Sequence, residues 1–156
     1  MSSRAAAALD TVRALQSALA AEHAAVYGYG VVGAHLTGSQ QATATTDWVA
    51  HQVARDRLEA MLRSADGSQP TAAAVAYQLP IPVRNAREAV ALAVMLEDRI
   101  ATAYLGLVAL SNAAIRQYGA QQVQASALRA AAWRGSTVAF PGLTSAALAA
   151  PGRPRS

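Results

Sequence analysis

Apolar residues return every three or four positions through four long stretches of this chain, and that period describes amphipathic helices. The first stretch, about residues 4–36, lines up Val12, Leu15, Leu19, Glu22, Val26, Tyr29 and Gly33 on one stripe. The polar run TGSQQATATT follows and reads as a loop. The second helix is predicted to start near Asp47, whose carboxylate suits the positive end of a helix dipole. Its stripe is Trp48, His51, Arg55, Leu58 and Leu62, and it is predicted to stop at Asp66-Gly67. Asn85 opens the third, with Glu88 three residues on in a capping-box arrangement. That helix aligns Val90, Val94, Glu97, Ala101, Tyr104 and Val108, and a fourth spans roughly 112–134, closing at Arg134-Gly135.

Connection lengths turn four helices into a topology. A short loop after the first helix makes helices one and two antiparallel. The stretch 67–85, with Pro70, Pro80 and Pro82, is long enough to cross a bundle, at roughly 3.3 Å per residue against a length of about 30 Å. Helix three then runs parallel to helix two, and one long crossover of this kind is ferritin-like connectivity. The chain is therefore predicted to be all-α: a ferritin-like four-helix bundle over residues 1–143, on which Phe140 and Leu143 are expected to fold back, with a Pro/Gly-rich tail at 144–156.

Gly28, Gly30 and Gly33 spell G-x-G-x-x-G, yet the run is no dinucleotide turn. That fingerprint needs a strand before the glycines and a helix starting within them. Here helical periodicity runs straight through, so the small residues are expected to admit a neighbouring helix. An internal repeat is also present. "LAAEHAAVYGY" and "VMLEDRIATAY" align on Glu22 and Glu97, each with a tyrosine seven residues later, Tyr29 and Tyr104. A pseudo-twofold relating the two helices would bring both glutamates to mid-depth, face to face.

The runs "ALAAEHAAVYGYGVVGAHL", "LPIPVRNAREAVALAVMLEDRIATAYLGLV" and "AAAWRG…FPGL" resemble a bacterial ferritin-like domain family of unassigned function, over residues 12–143. The resemblance implies a four-helix bundle of the ferritin superfamily and no particular activity.

Di-metal members of that superfamily take a Glu from each of two helices and a Glu-x-x-His from each of the other two. Glu22 and Glu97 stand where the single glutamates would be. His51 has Trp48, not a glutamate, three positions before it, and after Asp98 the chain contains no Asp, Glu, His or Cys. Helix four thus has no side chain with which to bind iron or manganese, and no metal or other cofactor is expected. Two buried carboxylates repel one another, so each requires a partner, for which a guanidinium fork is well shaped. The prediction is a buried network of Glu22, Glu97, Arg55 and Arg129, with His51, Tyr29 and Tyr104 completing its hydrogen bonds. His23 and His35 fall off the stripe and are expected on the surface.

Composition narrows the function classes. With no cysteine, the chain has neither disulfides nor thiolate sites. It shows no secretory signal pattern and no run of about 20 apolar residues, so a cytoplasmic protein with no membrane partner is expected. The net charge of +4 comes entirely from scattered arginines, without the basic–aromatic interleaving of a nucleic-acid surface, so nucleic acid is not the expected partner. Only 14% of residues are charged, against roughly 25% in a typical domain, so much helix surface is available to another protein. The favoured reading is a metal-free binding or interaction module that self-associates as a homodimer. The alternative is an enzyme using Glu22, His51 and Glu97 for acid–base work, with or without a single weakly held metal.

Overall fold

The computed structural model describes residues 3–65 and 68–136, and these form four helices and no strand. Helix α1 spans Ser3–Ala34, α2 Gly38–Ser64, α3 Ala86–Val108 and α4 Ala113–Arg134. The expected helix end at Asp66-Gly67 and the tail with Phe140 and Leu143 lie outside the described residues.

Cross-helix partners fix the directions. Glu22 meets His51 while Tyr29 meets Asp47, so α1 and α2 are antiparallel. Glu22 meets Tyr104 while Tyr29 meets Glu97, so α1 and α3 are antiparallel too. Helices α2 and α3 are therefore parallel, as the crossover length predicts. Arg129 on Glu97 and Tyr118 on Tyr104 set α4 antiparallel to α3.

The crossover follows α1 for most of its length. Gln16 donates to the Gln69 carbonyl at 2.7 Å and accepts from the Thr71 amide at 3.0 Å. Farther along, the Tyr27 ring meets Tyr77, and Leu79, Ile81 and Val83 cover the cluster around Tyr29, Val32 and Leu36. His23 is buried against this strap, its Nε2 3.1 Å from the Thr71 carbonyl, and His35 is half-buried. The surface placement expected for His23 fails because periodicity within α1 cannot see a cover supplied by residues some 50 positions away.

The second correction is the start of α2. It begins at Gly38, not near Asp47, so all but the first residue of the run read as a loop is helix, about two and a half turns. Thr43, Thr45 and Thr46 each return their hydroxyl to the carbonyl four residues back, at 3.0–3.1 Å. Such back-bonding satisfies the hydroxyls without leaving the helix. The turn from α1 is correspondingly tight, and Gly38 takes φ +59°, where a side chain would be strained. The buried line of α2 is Ala44, Asp47, His51, Ala54, Leu58 and Leu62, with Trp48 and Arg55 beside it rather than on it.

Helix ends follow the sequence signals. The Asn85 side chain accepts from the Glu88 amide, and Glu88 accepts from the Arg84 amide. Asn112 caps α4 through the Ile115 amide, and Gly135, at φ +76°, closes it. These satisfy backbone groups that a helix terminus leaves open.

Two apolar layers result, one around Leu15, Leu19, Leu58, Ile100 and Leu107, the other around Val32, Leu36, Leu92 and Leu96. Glu22, His51 and Glu97 lie in register between them. Of the glycines in the G-x-G-x-x-G run, Gly28 packs against a neighbour, Leu96, while Gly30 and Gly33 face open space. The approach with least room to yield is at Gly119, where an added Cβ would stand 2.8 Å from Leu107 Cβ and 3.2 Å from the Tyr104 carbonyl oxygen, whereas at Gly28 it meets only the flexible end of Leu96. Gly119→Ala must push α3 and α4 apart, at about 1–3 kcal/mol, more than the ~1 kcal/mol an alanine gains in helix propensity. Gly30→Ala keeps that gain without the clash. Urea unfolding should move the two midpoints in opposite directions.

No helix among the described residues is long and apolar enough to cross a membrane.

Candidate functional site

The sequence repeat becomes a reciprocal pair of hydrogen bonds at the bundle centre. Tyr29 on α1 donates to Glu97 Oε1 on α3 at 2.6 Å, and Tyr104 on α3 donates to Glu22 Oε1 on α1 at 2.7 Å. The spacing of seven, two helical turns, lets each tyrosine reach the other helix's glutamate.

His51 of α2 joins the two halves. Its Nδ1 is 2.7 Å from Glu22 Oε2 and its Nε2 2.9 Å from Glu97 Oε1. All three side chains are 0% exposed. Burial alone would lower the imidazole pKa, but the hydrogen bonds and charges of both glutamates outweigh it and push the value up to about 9. At neutral pH the ring is therefore an imidazolium that donates from both nitrogens. Tyr29 stacks on it with ring centroids 5.1 Å apart.

Arg129 of α4 donates from Nε to the same Glu97 Oε1 at 3.0 Å. Burial favours protonated Glu97, but His51, Arg129 and Tyr29 together hold its carboxyl below the usual glutamate range. Two carboxylates thus face one imidazolium and one guanidinium. Glu97 Oε1 accepts three hydrogen bonds, whereas its Oε2 is buried with no partner.

The chain of polar contacts extends both ways. Tyr104 spends its proton on Glu22, so at 3.5 Å Tyr118 must be the donor to it. At the other end Trp133 Nε1 donates to Asp47 Oδ2 at 2.8 Å, and the same oxygen is 3.4 Å from the Tyr29 hydroxyl. Burial raises the Asp47 carboxyl above its ordinary range, partly offset by the Trp133 bond. Burial first, and then Glu97 beside Tyr29 and Glu22 beside Tyr104, drive both phenol pKa values upward, so both remain donors.

Of the predicted residues, Glu22, His51, Glu97, Tyr29, Tyr104 and Arg129 come together. Arg55 does not. Its guanidinium turns outward to Asp56, with Nε 2.8 Å from Oδ1, because Ala54 and not Arg55 occupies the inward line of α2. The cation between the glutamates is the histidine. Three members escaped the sequence reading: Asp47, Tyr118 and Trp133. Asp47 had a usable signal, standing one turn before His51 on the same face.

The donor set can be tested against the metal centre of ferritin-like proteins. Both nitrogens of His51 are committed to the glutamates, Arg129 holds Glu97, and α4 carries no carboxylate or imidazole from 113 to 134. A pair of metal ions does not fit these residues.

Residues 14–145 match the family described as a domain of unknown function, DUF4439. The chain belongs to that family. Membership in DUF4439 by itself supplies no activity. Among solved structures, this chain is similar to a conserved hypothetical protein, rv2844, from Mycobacterium tuberculosis. The two are 35% identical with a TM-score of 0.77, and the match covers 81% of this chain and 96% of that one. No curated protein matches significantly.

Proposed function

We propose that this DUF4439 chain is a metal-free, ferritin-like bundle that acts in the cytoplasm as an interaction module and self-associates as a homodimer. The observation that carries the reading is the bridge from Glu22 through the His51 imidazolium to Glu97. On this reading, protein cations stand in for the metal ions of a ferritin-like protein. Full burial of all three groups leaves no room for a substrate at them, which weighs against acid–base catalysis there. Their role is to give the bundle one register, a role best attested for buried polar groups in helical assemblies.

Support for self-association comes from the α1–α2 face. A groove of about 550 Å³ there includes Gly30, Gly33, Ala34, Thr45 and Trp48. Trp48 is 37% exposed although its Nε1 is anchored on the Val26 carbonyl. Small residues beside a large aromatic suit close approach of a helix from a second copy.

Light scattering behind size exclusion should give twice the 16.1 kDa chain mass. Gly30→Arg has open space for its Cβ and should keep the fold while returning the protein to a monomer. A wild-type monomer at high concentration would defeat the self-association reading. Protein purified without chelators should hold iron and manganese well below one per chain, and stoichiometric metal would defeat the rest.

A further inference from the structure

Helices α2 and α4 leave a second groove between them, of about 290 Å³, on a different face from the α1–α2 groove. Its polar lining is Arg57 and Arg129 with Tyr118 and Gln122, and Ala50, Val53 and Ala125 supply apolar wall. Among the described residues no acidic one lines it.

The two arginines are incompletely used by the protein. Arg129 commits Nε to Glu97 and is 19% exposed, so its terminal nitrogens remain for the groove. Arg57 lies over the Tyr118 ring at 5.4 Å, a cation–π contact that positions its guanidinium without neutralising it. Nearby acids are already engaged: Asp56 holds Arg55 and Glu59 holds Arg63. Within the core, the carboxylates of Glu22 and Glu97 are matched by His51 and Arg129. Arg57 is thus an excess positive charge at the edge of a partly apolar cleft.

We propose that the α2–α4 groove binds a small carboxylate with an apolar body. The carboxylate would sit between Arg57 and Arg129, each guanidinium offering a donor fork of the right shape. The apolar part would lie along Val53 and Ala125. A cleft of this size accommodates a chain of a few carbons. Arg129 would then be shared between the ligand and Glu97, so occupancy of the groove bears on the buried cluster without opening it.

The test is isothermal titration of the full chain with hexanoate, hexanol and inorganic phosphate. Hexanoate should bind saturably at one site per chain, at least tenfold more tightly than either of the others. Arg57→Gln gives up only the cation–π contact to Tyr118, a weak contact at an exposed site, and should weaken hexanoate at least tenfold while lowering the melting temperature by no more than a few degrees. Val53→Trp should fill the groove and abolish binding while leaving both arginines in place. Hexanol binding as well as hexanoate would overturn the role of the arginines. Phosphate binding as well as hexanoate would overturn the role of the apolar wall. Wild-type affinity in a folded Arg57→Gln protein would overturn the site. None of these results depends on whether the chain is a dimer, which the Gly30→Arg experiment reads separately.

Discussion

Glu97→Gln should lower the stability of this protein by about 3–5 kcal/mol. Glu97 Oε1 receives Tyr29, His51 and Arg129 within 3.0 Å, so one carboxylate serves three donors from three other helices. An amide keeps the shape but removes the charge, leaving an imidazolium and a guanidinium facing a neutral group inside the bundle. Stranding a buried charge is the costly event, rather than loss of the attraction itself. For a chain of this size the loss corresponds to a fall in Tm of about 10 °C. Thermal and urea unfolding at pH 7 would measure it. A Glu97→Gln protein melting with the wild type would mean that the cluster is not charged as described. A second variant sharpens the outcome. Adding His51→Leu to Glu97→Gln removes one of the stranded cations, so the double variant should lose less than the two single losses combined, a coupling expected only between groups in direct contact.

The second large effect is alkaline destabilisation. The His51 pKa is raised, from 6.5 for a free side chain to about 9 in the fold. A raised value means that the folded state holds the proton more tightly than the unfolded chain does. The stabilisation is therefore complete below about pH 6.5, shrinks as pH rises, and is gone above about pH 9. That difference is worth about 3 kcal/mol. Glu97 acts on the other limb: its pKa is lowered, so its contribution is present above the usual glutamate value and is lost as the solution is acidified through the folded value. Asp47, raised by burial, opposes that acid loss, because its protonation is easier in the fold than outside it. Urea midpoints measured from pH 5 to 10 should fall steadily above pH 6.5. In His51→Gln the same series should start lower and be flatter over that interval. A wild-type profile that is flat between pH 6.5 and 9 would contradict the imidazolium bridge.

How far the site could be read without coordinates differs residue by residue. Glu22 and Glu97 were legible because charged residues on an otherwise apolar stripe need a reason, and the matched tyrosines supplied the register. The crossed bonding of Tyr29 to Glu97 and Tyr104 to Glu22 is the spatial form of that repeat. His51 was legible as a member but not as the bridge. Which cation lies between two carboxylates depends on the rotation of α2 about its axis by a fraction of a turn. A stripe drawn through Trp48 and His51 also takes in Arg55. In the fold, Trp48 is anchored at the rim by a hydrogen bond to Val26, and the small residues Ala44 and Ala54 face inward instead. Side-chain bulk in the surrounding bundle, not the hydrophobicity of one residue, chose the face.

The same contrast holds for the chain as a whole. The amino-acid order by itself determined four helices, their caps at Asn85 and Gly135, the long crossover between α2 and α3, and the lack of metal ligands in α4. These follow from local periodicity, from turn chemistry and from which side chains exist at all. Only the tertiary structure decided that TGSQQATATT is mostly helical, that the crossover buries His23, that Asp47 and Trp133 join the central polar chain, and that α2 and α4 stand apart over two arginines. Each of those depends on groups far apart in sequence meeting in space, and the burial, charge balance and room they create are properties of the packed helices together.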